Sequence, residues 1–340
     1  MEMEYRYLGR TGVRVSPLCV GCMNFGKRTD EAEAGRIVGR ALEAGINFFD
    51  TANVYAGGAS EQVLGRALKA SGKRDFVVLA TKAHGNMHKD EPLNPNRWGN
   101  SRRQIIEQCE ASLRRLGTEW IDLYQIHRPH VDCPIDETLR ALDDLVRQGK
   151  VRYIGCSTFG AWQVVESLWV SDRYSLSRFV TEQPPYNLLD RRIERELVPM
   201  AQTYDLAILP WSPLAGGWLT GKYRRDAGWP EGARYGEGGH KRTQKLAESD
   251  RAWAIAEAVA AMAEEKGCTP SQLALAWCMG QPGVTSPIAG PRTLAQLEDN
   301  LGALEVEVTD ADRARLDELS EPGRGVVPFY ESHFGPGRRW

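Results

Sequence analysis

Apolar residues in this chain follow two alternating rhythms. Short, nearly continuous apolar runs are separated by longer stretches in which apolar positions recur every three or four residues. The first rhythm predicts buried strands and the second amphipathic helices. Residues 5–8 and 13–16, joined through Gly9-Arg10-Thr11-Gly12, predict a small hairpin. A first core strand, 18–20, ends at Gly21. Glu31–Glu43 follows as a helix, with Asp30 as N-cap and Gly45 closing it. The pattern then repeats. Strands are predicted at 46–50, 76–81, 121–126, 151–155, 179–182, 206–209 and 284–289. Helices are predicted at 60–68, 101–116 (stopped by Gly117), 135–147, 161–169, 191–203 and 294–301.

Eight strands alternating with helices, mostly about thirty residues apart, predict an α/β fold of the (β/α)8 TIM-barrel type. The longest gap separates strands seven and eight. It holds a Gly- and charge-rich loop, 223–245, and two extra helices, 249–266 and 270–279. The alternative is a doubly wound open sheet, whose nucleotide-binding form carries G-x-G-x-x-G after its first strand. That string is absent. A single domain over 1–340 is the expected division, with a tail at 321–340 that folds over the site.

Composition narrows the function. The 340 residues include 43 basic and 45 acidic side chains, a net charge of −2. This is no footprint for nucleic acid. No basic-then-apolar leader opens the chain, and no apolar run approaches the roughly 18 residues of a membrane helix. The seven cysteines are scattered and odd in number, which fits a reducing cytoplasm better than a disulfide framework.

The ends of three successive strands carry the candidate chemistry. The 46–50 strand ends in Asp50, with Tyr55 in the loop beyond. The 76–81 strand runs into Lys82, and the 121–126 strand into His127. Parallel barrels present their chemistry at this carboxyl-terminal rim. A phenol with a pKa of about 10 releases its proton reluctantly at neutral pH. A nearby ammonium stabilises the phenolate, and a carboxylate keeps that ammonium charged and oriented. Tyr55 then serves as proton donor, Lys82 as its tuner and Asp50 as the anchor of Lys82, while His127 aligns the substrate oxygen. Such a site protonates the oxyanion formed when something adds to a carbonyl. It supplies no hydride itself, so a redox cofactor must.

Three strings, Ile46-Asn47-Phe48-Phe49-Asp50-Thr51-Ala52-x-x-Tyr55, Thr81-Lys82 and Asp122-Leu123-Tyr124-Gln125-Ile126-His127-Arg128-Pro129, together resemble the aldo-keto reductases. The similarity runs from Tyr7 to Glu307, and it is nearest to bacterial-type members akin to the potassium-channel beta-subunit branch. The resemblance implies a catalytic tetrad of Asp50, Tyr55, Lys82 and His127, and NADPH bound extended without a Rossmann domain. Relatives that reduce a carbon–carbon double bond beside a ketone have glutamate in place of His127, so retention of the histidine implies a carbonyl reductase.

The resemblance also implies the cofactor site. Gly21, Met23 and Asp50 border it, Ser157 and Gln183 bond the nicotinamide carboxamide, and Trp211 stacks on the ring. The loop carrying Ser212, Leu214 and Gly216 wraps the pyrophosphate, with Lys222 as counter-charge. Gly290, Arg292, Gln296, Asp299 and Asn300 hold the adenosine end. Arg292, aided by the N-terminus of the last barrel helix, pairs with a 2′-phosphate and favours NADPH over NADH. The family usually has Asn after the Ser157 position; Thr158 stands here, which leaves one carboxamide contact in doubt.

Other readings compete. Singly, Asp50 is a cap, Lys82 a solvated charge, His127 a structural histidine, Trp211 core packing and Arg292 a surface residue. Gly216-x4-Gly221-Lys222 imitates a P-loop, but Tyr223 replaces the Ser/Thr that binds Mg²⁺. Cys19 and Cys22 imitate a zinc or redox pair, yet they straddle a strand whose side chains alternate in direction. His127 and His130 do not have a helical metal spacing. For the substrate, a small carbonyl compound, Phe25, Trp98 and either Trp162 or Trp218 are candidates for an aromatic pocket above Tyr55. The resemblance leaves open an NADPH-sensing subunit with slow turnover, and a dehydrogenase that oxidises a sugar or polyol with NADP+.

Overall fold

The computed structural model describes residues 3–87, 94–225, 230 and 245–326. A two-stranded antiparallel hairpin, β1 (Arg6–Tyr7) and β2 (Arg14–Val15), comes first. Eight strands then form one parallel sheet: β3 (Cys19–Gly21), β4 (Phe48–Asp50), β5 (Val78–Ala83), β6 (Ile121–Ile126), β7 (Val151–Ser157), β8 (Phe179–Gln183), β9 (Ala207–Ile208) and β10 (Ile288–Ala289). Their spatial order is β10-β3-β4-β5-β6-β7-β8-β9. The outer members also meet. Ile208 bridges Val284 and Trp211 bridges Ile288, with Thr285 N donating to Ile208 O at 2.9 Å and Ile288 N to Pro210 O at 2.8 Å. The sheet thus closes into the expected (β/α)8 barrel.

Strand alternation sorts the side chains into two apolar layers. Cys19, Phe48, Val78, Ala80, Leu123, Val180, Ala207, Leu209 and Ile288 fill the barrel interior, and Leu8 and Val15 of the hairpin segment pack with them as a plug. Val20, Phe49, Leu79, Tyr124 and Ile154 face outward to the helices. The barrel floor is therefore apolar, and its polar inward positions lie at the strands' carboxyl ends.

The helices are α1 (Glu31–Glu43), α2 (Ala59–Ser71), α3 (Arg102–Leu116), α4 (Ile135–Arg147), α5 (Ala161–Arg173), α6 (Leu197–Thr203), α7 (Asp250–Glu265), α8 (Pro270–Met279), α9 (Leu294–Gly302) and α10 (Asp310–Leu319). Their ends follow the sequence chemistry. Asp30 Oδ1 accepts from Glu33 N at 2.8 Å to start α1, and α3 stops at Gly117 with φ 63°, a conformation glycine adopts without strain. The extra helices α7 and α8 lie between β9 and β10, as expected.

Several boundaries differ. Strand β5 begins two residues late, so Lys82 lies within it. The helix expected at 191–203 is a 3-10 turn, Arg192–Glu194, followed by α6. Arg191 bonds Glu194 at 2.7 Å and Arg192 bonds Asp190 at 2.7 Å, and Glu196 at φ −136° breaks the helix between them. Helix α10 had no counterpart in the apolar rhythm because only Asp312 and Leu316 are buried; its sequence signal is the Thr309/Asp312 capping box.

Helices α2 and α3 approach so closely that a methyl group on Gly65 would stand 2.2 Å from Leu116 O, whereas one on Gly35 in α1 would meet nothing within 4 Å. Gly65→Ala is predicted to lower unfolding free energy in urea by about 1–3 kcal/mol. Gly35→Ala should raise it by up to about 1 kcal/mol through helix propensity. Equal stabilities would contradict this packing.

Candidate active site

Four strand ends build the site. Asp50 closes β4, Lys82 lies one residue before the end of β5, His127 follows β6 directly, and Gln183 closes β8. Inward alternation along β6 selects Leu123, Gln125 and His127. Strand β8 needs a bulge to do the same: Ile154 pairs with Phe179 but Gly155 pairs with Thr181. The extra residue, Val180, resets the alternation and turns Gln183 inward. Tyr55 stands on a 3-10 turn, Tyr55–Gly58, just beyond β4. That loop is clipped by Thr51 Oγ1 to Ser60 Oγ at 2.8 Å, by Ser60 Oγ donating to Cys22 O at 2.7 Å, and by Asn53 Nδ2 donating to Gln108 Oε1 at 3.0 Å.

Lys82 is fully buried and ion-paired with Asp50 Oδ1. Its ammonium also donates to Thr51 O at 2.8 Å. The other Asp50 oxygen accepts from Gln183 Nε2 at 3.0 Å and Gln125 Nε2 at 3.3 Å. Lys82 Nζ lies 5.3 Å from the centroid of the Tyr55 ring, and that ring meets the edge of His127 at 5.7 Å and 85°. The four groups predicted from the strand ends therefore converge.

Their electrostatics assign protonation states. Burial works to lower the Lys82 pKa, but Asp50 and Tyr55 together outweigh it and the net shift is upward, so the ammonium stays charged. Burial raises the Tyr55 phenol above its ordinary value, while the Lys82 charge pulls the other way. The expectation of a net lowered phenol is corrected: desolvation wins, and Tyr55 is a protonated donor at neutral pH. Burial, reinforced by Lys82 and Arg128, holds His127 well below the usual imidazole range, so it is neutral and carries one N–H.

A cavity of about 530 Å³ opens above this cluster. Asp50, Tyr55 and His127 line one end, while Lys82 is sealed behind them. Every residue expected around the cofactor lines its wall: Gly21, Met23, Ser157, Gln183, Trp211, Ser212, Leu214, Gly216, Lys222, Gly290, Arg292, Gln296, Asp299 and Asn300. Trp211 is half-buried, its backbone N–H donating to Pro184 O at 2.8 Å. Four of the chain's non-glycine residues with positive φ, Ala56, Thr158, Ser212 and Ala215, flank this end of the barrel. Strained backbone of this kind gathers at functional loops.

The aromatic candidates fare differently. Phe25 is buried in the outer core. Trp98 is 44 % exposed and packs against His130 at 4.7 Å. Trp162 is exposed on α5, and Trp218 is a core residue against Trp253. None of the four lines the cavity. The tail is described only to Val326, whose N–H donates to Leu189 O at 2.8 Å in the loop after β8. The rest of it, with Phe329, Tyr330, Phe334 and Trp340, lies outside the described residues.

At the N-terminus of α9, Leu294 N donates to Glu33 Oε1 at 2.6 Å and Gln296 N to Thr293 Oγ1 at 3.3 Å, so these two helix donors are engaged within the protein. Among the lining residues not singled out beforehand are Asn24, Arg28 and Arg128. Arg128 had a signal, since it directly follows His127; Arg28 sits in a polar turn without one. Gln125, which supports Asp50, was marked only by alternation along β6.

Cys19 belongs to the inner cluster and Cys22 to the outer one, as alternation requires, and every cysteine is a free thiol. Among the described residues there is no group of three or more metal-ligating side chains, and no helix long and apolar enough to cross a membrane.

Comparison with known proteins extends the picture. The sequence model described as Aldo/keto reductase family matches residues 17–321. The chain is 40 % identical over 339 residues to the uncharacterized oxidoreductase YrpG of Bacillus subtilis, covering 96 % of this chain and 98 % of that one. It is 37 % identical over 307 residues to a probable voltage-gated potassium channel subunit beta of Oryza sativa subsp. japonica, covering 89 % and 92 %. It is 33 % identical over 357 residues to versiconal hemiacetal acetate reductase of Aspergillus parasiticus, covering 99 % and 100 %.

The depressed His127 pKa makes a stability prediction. A group whose folded pKa lies below its unfolded value contributes stability above the unfolded pKa and loses it as pH falls towards the folded one. Below about pH 6.5, His127 should cost the native state up to about 1.4 kcal/mol per pH unit. The stability of His127→Gln relative to wild type should therefore improve on acidification, with His84 and His130 common to both proteins. Parallel urea-unfolding profiles between pH 7 and 5 would contradict a buried neutral imidazole.

Proposed function

The chain belongs to the aldo/keto reductase family, a family of oxidoreductases, and from that membership and its site geometry we propose that it is an NADPH-dependent reductase of aldehydes or ketones. The observation that carries this reading is the juxtaposition of a protonated Tyr55 and a neutral His127 on one cavity wall, with Asp50 beside them and its ion-pair partner Lys82 sealed behind.

Family members generally use NAD(P)H, and the residues present fit that group. The cavity is lined by Tyr55, Trp211 and Arg292 among others, and its volume is ordinary for a ligand site. Ser157 and Gln183 would hold the carboxamide, Trp211 the ring, and the Ser212–Leu214–Gly216 loop with Lys222 the pyrophosphate. Gly290, Arg292, Gln296, Asp299 and Asn300 would hold the adenosine end, and Gly21 and Met23 the opposite wall. Arg292 favours a 2′-phosphate, and hence NADPH.

The bound nicotinamide supplies hydride to the carbonyl carbon. This chain's residues do the rest. The N–H of His127 orients the carbonyl oxygen. The Tyr55 hydroxyl gives that oxygen a proton as negative charge develops on it. Lys82 stabilises the phenolate left behind, and Asp50, held by Gln125 and Gln183, keeps the ammonium in place. In the oxidative direction the same groups would remove a proton from an alcohol. The protein acts as a single domain in the cytoplasm, on a small-molecule substrate.

A second reading has one observation in its favour: relatives named as potassium channel beta subunits. In it the chain binds NADPH tightly, turns over slowly and answers to a partner. Multiple turnover with released cofactor separates the two.

Tyr55→Phe should lower kcat on a panel of aldehydes and ketones by about a hundredfold or more, with the NADPH Kd unchanged within about twofold. Loss of NADPH absorbance at saturating substrate reads the first and calorimetry the second. Undiminished turnover would remove Tyr55 from the proton step. Tight NADPH binding without turnover in the wild type would favour the sensor.

A further inference from the structure

Donors and acceptors at the Ser157–Gln183 end of the cavity do not yet match a carboxamide. The Ser157 hydroxyl donates its one hydrogen to Gln183 O at 2.8 Å, so towards the cavity it can only accept. The Gln183 amide is oriented by Asp50, a carboxylate already paired with Lys82. Its Nε2 donates to Asp50 Oδ2 at 3.0 Å, so Oε1 is its acceptor end. The pair thus presents two acceptors, which suit the two N–H groups of a carboxamide. Its carbonyl oxygen needs a donor that neither residue can give.

Thr158 does not fill that role. Its hydroxyl donates to Ser157 O at 2.6 Å and accepts from Arg128 Nη1 at 2.7 Å, and it does not line the cavity. Arg128 does line it, beside Ser157, Gln183, His127 and Tyr55. We propose that Arg128 is the donor to the carbonyl oxygen of the nicotinamide carboxamide, aimed from the end of β6 by the Thr158 hydroxyl on the neighbouring β7 loop. The assignment rests on the cofactor reading above.

A guanidinium carries five N–H groups and no acceptor, so it can serve Thr158 and a ligand together. Its charge reaches the reacting groups: Arg128 contributes to the downward pull on both Tyr55 and His127. The β7 loop that aims it is firmly built. Buried Glu182, turned outward by the β8 bulge, accepts from Phe159 N at 3.0 Å through Oε1. This holds the loop at Thr158, whose φ is 59°. A β-branched residue is costly in that region, whereas Asn tolerates it. Thr158 is kept there by its hydroxyl contacts, and the guanidinium replaces the reach that an Asn side chain would have had.

The test uses NADP+ and its thionicotinamide analogue, in which sulfur, a poorer acceptor, replaces the carboxamide oxygen while the NH2 group remains. Calorimetry on the full chain compares wild type with Arg128→Leu. NADP+ affinity should fall about tenfold or more, the size of a charge-assisted hydrogen bond. Affinity for the thio analogue should fall by less than about threefold, and 2′,5′-ADP should bind both proteins alike. Equal losses for the two dinucleotides would overturn the assignment. Should Arg128→Leu fail to fold, Thr158→Val removes the hydroxyl that aims the guanidinium. A narrowed preference for NADP+ over the analogue then supports the proposal, and an unchanged preference overturns it. A wild type that binds neither dinucleotide would instead sink the cofactor reading on which the proposal stands.

Discussion

The ion pair between Lys82 and Asp50, sealed inside the barrel, is the constraint on which the site depends. Desolvating two charges costs several kcal/mol each, and mutual attraction offsets this only where the remaining donors and acceptors are also matched. Here they are: Thr51 O takes a second bond from the ammonium, and Gln125 and Gln183 donate to the free carboxylate oxygen. The pair therefore ties β4, β5, β6 and β8 at one level. A carboxylate and an ammonium are stable at that level because the layer below is closed by Phe48, Leu123, Leu209 and the Leu8 plug. The charge is fixed in position before any ligand arrives, as preorganised electrostatic stabilisation requires.

Around this fixed centre the chemistry is carried on loops. Tyr55, Thr158 and Ser212 belong to three connections after three strands, and two of them, with Ala56 beside Tyr55, hold positive φ. A rigid barrel can bear such local strain because the strands below determine where each loop begins. The division of labour is also electrostatic. Burial keeps the phenol protonated and the imidazole neutral, while the lysine is held charged by its carboxylate. A proton donor and a neutral hydrogen-bond donor thus line the cavity with a cation sealed behind them, the first two states set by burial and the third by a carboxylate.

Much of this was legible in the sequence because strand ends are marked twice, by apolar alternation and by the polar residue that interrupts it. Asp50, Lys82 and His127 stood out in that way, and helix α1 could be bounded from Asp30 and Gly45 alone. Other features obey forces that a linear pattern does not carry. A strict two-residue alternation from Val180 would turn Glu182 inward, and only the pairing with β7 reveals the bulge that places Gln183 there instead. Phe25 resembled a pocket aromatic but is core, because the turn around it folds back on Cys22, just after β3, and against Ala59 at the start of α2. The net direction of the Tyr55 shift depends on how completely the ring is buried, which no spacing encodes. Arg128 adjoined a recognised residue, yet its use depends on Thr158, distant in sequence and 2.7 Å away in space.

The central claim is direct hydride transfer to a carbonyl held by Tyr55 and His127, against a cofactor whose ring face is fixed by Trp211 and the carboxamide site. NADPH labelled with deuterium at one or the other C4 position, turned over with an aldehyde, tests it most directly. Deuterium appearing at the product's carbinol carbon from only one of the two labelled cofactors, with none from solvent, is the predicted result. Transfer from both faces, or solvent hydrogen at that carbon, would contradict it.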